Sequence, residues 1–181
     1  MNAPTTSHYP AAPAAQKVET HTLSVLVDNE PGVLARVIGL FSGRGYNIES
    51  LTVSETEHRA HLSLITVVTT GTPMVIEQIK NQLDRQVPVH HVVDMTLTGN
   101  SIERELAMVK VKGRGDHRVE ALRLADAFRA RVIDATIESF VFEITGNSSK
   151  IEQFIELMLP LGLIEVARTG IAAIRRGPGE G

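Results

Sequence analysis

The 181-residue sequence predicts an α+β protein made of two consecutive βαββαβ units. Three observations carry this. Residues 20–97 read as strand, helix, strand, strand, helix, strand. The same order returns over residues 98–176. Within both stretches apolar residues recur every second position in the strands and every third or fourth in the helices, the periods at which each element buries one face. This order is the split βαβ, or ferredoxin-like, arrangement.

The elements follow in turn. His21 to Asp28, HTLSVLVD, alternates as a strand, with Leu23, Val25 and Val27 on one face. Pro31 suits the first position of a helix, whose apolar stripe reads Leu34, Val37, Ile38 and Phe41. Gly43 and Gly45 mark its end. YNIESLTVSE and HLSLITVVTTG are two strands joined by a polar turn around TEHRA. A second helix starts near Pro73 with Val75, Ile76, Ile79 and Leu83 on its inner side, and VHHVVDMTL closes the unit.

In the second unit ELAMVKVKG is a strand, and residues 117–129 form a helix carrying Leu122, Ala125 and Phe128. RVIDATIES and FVFEITG are strands. SSKIEQFIELMLP is a helix with Ile151, Phe154, Ile155 and Met158 inward and Ser148 as its cap, and LIEVARTG is the last strand. Residues 1–19, with Pro4, Pro10 and Pro13 among Ala and Thr, are expected to be a disordered extension, and residues 177–181 a flexible tail.

Composition narrows the chemistry. The chain is 43% hydrophobic and 22% charged, as ordinary globular proteins are, and carries a net charge of −3, which gives no reason to expect nucleic acid or an anionic membrane surface as the main partner. There is no Cys, so disulfides, thiolate metal sites and Cys nucleophiles are excluded. No apolar run nears the ~20 residues that span a bilayer, and the N-terminus lacks a signal peptide's basic start and apolar run; a cytoplasmic protein is expected.

No catalytic constellation stands out. His90 and His91 are neighbours in a strand and point to opposite faces, so they cannot chelate one ion together; His58 and His61 flank a turn. KGRGDHR, residues 112–118, has neither the P-loop nor the GxGxxG spacing and reads as a strand-to-helix turn.

The first helix is different, because DNEPG precedes it and GRGYN follows it. Backbone N–H groups near Glu30 to Leu34 favour an anion such as a carboxylate. Gly32 lets a ligand approach the main chain, Asn29 and Asn47 supply amide donors and acceptors, and Val33, Leu34 and Ile48 add an apolar wall. Two readings stand level on these residues alone: a pocket for a small zwitterion with an aliphatic tail, or plain turn chemistry.

The stretch VLVDNEPGVLARVIGLFSGRGYNIESLTV resembles the N-terminal ACT domain of the small, regulatory subunits of acetolactate synthase (acetohydroxyacid synthase). The likeness runs on through QIKNQLDRQVPV, RELAMVKVK, FRARVIDATIES, EITGNSSKIEQFI and EVARTGIAAIRRG, about residues 20–176 in family order. It departs in AHLSLITVV, where Ser63 and Leu64 replace the basic and Met residues expected.

The resemblance implies a regulator with no catalysis of its own. Its partner would be a large subunit holding thiamine diphosphate, Mg²⁺ and FAD, which this chain would activate and render sensitive to valine, or to leucine or isoleucine. It also implies side-by-side pairing of two ACT domains with effector at their interface, and effector contacts at Asn29, Gly32, Val33, Leu34, Asn47 and Ile48. An amino-acid site is then the expected meaning of the two polar segments.

Rival readings fare worse. An RNA-binding βαββαβ module stacks bases on strand aromatics, which HLSLITVVTTG lacks. A small hydrolase would need a catalytic Arg or His in a phosphate loop. A free-standing amino-acid sensor would leave the likeness of the second unit unexplained.

Overall fold

The computed structural model describes residues 17–56, 61–97, 99 and 101–177. The first unit comprises β1 (Glu19–Asp28), α1 (Val33–Arg44), β2 (Ser50–Glu55), β3 (Leu62–Gly71), α2 (Pro73–Asp84) and β4 (Val89–Asp94). Its sheet has the order β2-β3-β1-β4, with β1 antiparallel to both β3 and β4, and β2 antiparallel to β3. The second unit repeats this with β5 (Ser101–Lys112), α3 (Asp116–Ala127), β6 (Arg131–Ala135), β7 (Ser139–Gly146), α4 (Ser148–Met158) and β8 (Leu163–Arg168), in the order β6-β7-β5-β8. A further strand, β9 (Ala172–Arg175), was not anticipated from the sequence; it pairs Ser101 to Arg104, the part of β5 that runs beyond the second sheet.

Each sheet buries one face under its two helices. In the first unit Leu23, Val25, Val27, Ile65 and Val67 meet Val33, Val37, Phe41, Ile76, Ile79 and Leu83. In the second, Ala107, Val109, Val111, Phe142 and Ile144 meet Ala121, Ala125, Ile151, Phe154 and Met158. The core residues anticipated for α2 and α4 lie where their spacing placed them.

Five local expectations are corrected. Pro31 sits in a turn, and α1 begins after Gly32, whose φ of +89° makes it the N-cap. The buried stripe of α1 is therefore Val33, Val37 and Phe41 with Leu40 half-buried, and Leu34 stays 38% exposed. Both stripes satisfy helical spacing, and the entry turn selects between them. In α3 the inner side is Ala121 and Ala125, small enough for close packing on the sheet, while Leu122 turns outward. Asn147 rather than Ser148 caps α4, its side-chain oxygen accepting from the Lys150 N–H at 3.0 Å. The strand read from Tyr46 to Glu55 forms its ladder only from Ser50.

The junction between units is tied to the first sheet. Buried His21 donates from Nδ1 to Asp94 Oδ2 at 2.7 Å, and Asp94 Oδ1 accepts from the N–H groups of Thr96 and Leu97. Met95 N–H donates to Thr22 O at 2.8 Å.

Candidate functional site

The polar segment after β1 is held at one end of the first sheet. Asp28 N–H donates to Pro88 O at 2.9 Å and Asn29 N–H to His61 O at 2.6 Å. The Asn29 side chain donates to Glu55 Oε1 at 2.6 Å, and His90 donates from Nε2 to Asp28 Oδ1 at 2.6 Å. His58 lies outside the described residues.

Val33 N–H closes a turn on Glu30 O at 3.3 Å, and Arg36 N–H makes the first helical bond, to Gly32 O at 3.1 Å. No side chain caps α1, so the N–H groups of Leu34 and Ala35 precede that first bond at the positive end of the helix dipole. A Cβ built on Gly32 would meet nothing within 4 Å, so the turn that enters α1 is open on that side.

The second polar segment lies at the other end. After Gly45, Tyr46 N–H returns to Phe41 O at 3.0 Å and its ring packs edge-on against Phe41. Asn47 O accepts from the Thr69 hydroxyl at 2.6 Å, and Glu49 N–H donates to Val68 O at 2.8 Å. The Asn47 side chain is exposed, and Ile48 packs half-buried on the core.

Strand direction separates these groups. Both β1 and β2 are antiparallel to β3, so they run parallel to each other, and α1 carries the chain from the end of one to the start of the other. Asn29, Gly32, Val33 and Leu34 lie at the Asp28–Glu55 end, and Asn47 and Ile48 at the Ser50 end. The 12-residue α1 puts about 18 Å between them, at about 1.5 Å rise per residue. One chain thus does not bring the two segments together. Val33 is 3% exposed with its side chain in the core, so it offers a ligand only its main chain.

Sequence reasoning did not single out a cleft of about 480 Å³ between the two units. Glu49, Ser50 and Val68 line one wall, and Glu105, Arg168 and Gly170 the other. Arg168 donates from Nε and Nη2 to the two Glu105 oxygens, each at 2.7 Å, and from Nη1 to Glu152. The hydrogen bonds from Glu105 first, with those from Glu152, hold its guanidinium above its ordinary pKa against partial desolvation. No spacing rule in the sequence links residues this far apart.

Comparison with known proteins gives consistent findings. Residues 23–91 match the family described as the acetohydroxyacid synthase small subunit-like ACT domain, and residues 104–177 that described as the small subunit of acetolactate synthase. The chain is 46% identical over 157 residues to an Archaeoglobus fulgidus chain bearing the name probable acetolactate synthase small subunit, covering 87% of this chain and 97% of that one. It is 44% identical over 159 residues to the acetolactate synthase small subunit of Mycobacterium leprae, covering 88% and 93%. The crystal structure of the acetolactate synthase small subunit from Thermotoga maritima superposes with a TM-score of 0.79 at 40% identity, over 89% of this chain and 99% of that one.

Proposed function

Because the chain belongs to the family of acetolactate synthase small subunits, we propose that it activates a large catalytic subunit and makes it sensitive to a branched-chain amino acid, valine first. In this reading thiamine diphosphate, Mg²⁺ and FAD belong to the large subunit, and the assembly works in the cytoplasm. Among the described residues no helix is long and apolar enough to cross a membrane.

The observation that carries the effector site is the uncapped start of α1 behind Gly32, with open space where a Gly32 side chain would stand. Two free N–H groups and the helix dipole suit the ligand's carboxylate. Asn29 and Glu55, already joined to each other, suit its ammonium, and exposed Leu34 suits its aliphatic tail.

Strand polarity supports a site completed by a second copy. β2 is an edge strand with Val53 45% exposed. A two-fold axis beside that edge sets the partner's β2 antiparallel to it, which brings the start of one strand to the end of the other. The partner's second polar segment then arrives beside the first segment of this chain. Asn29, Gly32, Val33 and Leu34 would come from one protomer, and the residues equivalent to Asn47 and Ile48 from the other.

A free-standing sensor remains the weaker reading, because the match over residues 104–177 is to the small subunit itself. The test is activity of the cognate large subunit with and without this chain, titrated with valine. Stimulation followed by valine-dependent loss is expected; a large subunit indifferent to this chain refutes the proposal.

A further inference from the structure

The cleft between the units is closed on one side by Thr169, Gly170 and Ile171, which link β8 to β9. On the second unit this link is held firmly. Arg168 is clamped by Glu105 and Glu152, and Thr169 N–H donates to Leu106 O at 3.0 Å. On the first unit it rests against β2. Ile171 N–H donates to Ser50 Oγ at 3.0 Å.

The approach at Gly170 is closer than any other side chain would allow. A Cβ there would stand 2.8 Å from both Ser50 Oγ and Thr52 Oγ1, and Gly170 has φ +85°. The Thr52 hydroxyl is buried without a hydrogen-bond partner. Ser50 and Thr52 stand opposite Val68 and Thr66, while Leu51 and Val53 stand opposite core residues Val67 and Ile65. The two hydroxyls therefore project from the sheet face away from α1 and α2.

We propose that Thr169–Ile171 is a coupling strap through which effector binding at Asn47 and Ile48 is passed to the second unit. This rests on the effector reading above. Ser50 follows Ile48 by two residues in the same segment, and that segment is pinned by Thr69 on Asn47 O and by Val68 on Glu49 N–H. A ligand at Asn47 and Ile48 acts within two residues of Ser50, and Ser50 is bonded to a link that Arg168 and Thr169 tie to the second unit. Ser50 and Gly170 are positioning residues: neither is among the effector contacts. Coupling of this kind typically changes affinity or response by ~5- to 150-fold.

The experiment uses the full chain with its large subunit. Ser50→Ala removes the acceptor of the Ile171 N–H, and Gly170→Ala forces the link off β2. Valine affinity is measured by calorimetry on each variant without the large subunit, and valine inhibition on the holoenzyme. The expected result is affinity within about threefold of the parent chain, activation retained, and a half-inhibitory valine concentration raised at least about fivefold. Inhibition unchanged in Ser50→Ala and in any folded Gly170→Ala overturns the strap. Affinity and inhibition weakening in equal proportion also overturns it, since these residues would then act on the site itself. A parent holoenzyme insensitive to valine refutes the effector reading first, and the strap with it.

Discussion

Gly32 stands at the uncapped start of α1 with open space around it, and it tests the proposed site most directly. Its φ of +89° costs a non-glycine residue about 1–2 kcal/mol, so Gly32→Ala loses some stability by itself. Gly32→Asp adds a carboxylate in front of the Leu34 and Ala35 N–H groups, in the place of the ligand's own. Valine has about eight non-hydrogen atoms, so micromolar affinity needs roughly 1 kcal/mol per atom and leaves little slack. Losing ~2–3 kcal/mol, the scale of a charge-assisted contact, weakens binding roughly 30- to 150-fold. Calorimetry is expected to show that loss for Gly32→Asp with activation retained; unchanged affinity excludes the pocket.

Arg168 makes a different claim at the same scale. Glu105 is 5% exposed, so Arg168→Met leaves a buried carboxylate with its main partner gone. Arg168 is itself partly solvated, so the expected cost is about 2–4 kcal/mol, between the limits for surface and buried pairs. Because folding raises the Arg168 pKa, its contribution is fully present below the ordinary guanidinium value and fades only above it. The difference in denaturant midpoint between parent and Arg168→Met is therefore expected to be the same at neutral pH as at about pH 10.

At the scale of the element, two pairs of substitutions test the corrected stripe of α1 and the corrected cap of α4. Val37→Ala opens the packed stripe of α1 and is expected to cost about 1.5–3 kcal/mol, whereas Leu34→Ala stays within about 0.5 kcal/mol of the parent stability. Asn147→Ala removes the cap of α4 for about 0.5–2 kcal/mol, and Ser148→Ala removes no cap. Urea unfolding of the four variants measures both contrasts. Equal losses within either pair would contradict the structure.

The whole molecule decides where a site built from both polar segments could be completed. The two polar segments lie at opposite ends of α1, so a site made from both must draw on two protomers. Gly32→Asp and Asn47→Ala chains, each unresponsive alone, are therefore expected to complement when mixed. A heterodimer carries one doubly altered site and one intact site, so random exchange restores about a quarter of the sites. Recovery of valine binding in the mixture, measured by calorimetry, supports the shared site; no recovery after demonstrated exchange refutes it. A chain ended at residue 97 keeps the core beneath α1 and α2 but loses the wall that faces Val68 across the cleft. It is expected to melt below the full chain and still bind valine.

Much of this protein is written in local pattern. The alternation of Leu23, Val25 and Val27, the stripe of Ile76, Ile79 and Leu83, and the recurrence of the βαββαβ order depend on residues a few positions apart. Burial of one face explains them without knowledge of the rest of the chain. DNEPG and GRGYN stood out locally as the polar frame of a helix, but on those residues alone a ligand site and plain turn chemistry stood level. The phase of α1 was not legible, because Val33 and Leu34 both satisfy the helical period and only the turn at Gly32 selects between them. Nor was the separation of Asn29 from Asn47, which follows from β1 and β2 running parallel, a relation created by β3 lying between them. The Glu105–Arg168 pair and the Ser50–Ile171 bond join residues 63 and 121 positions apart. Periodicity has no reach over such distances; the pairing of β8 with β5 determines the first, and the packing of one unit against the other determines the second.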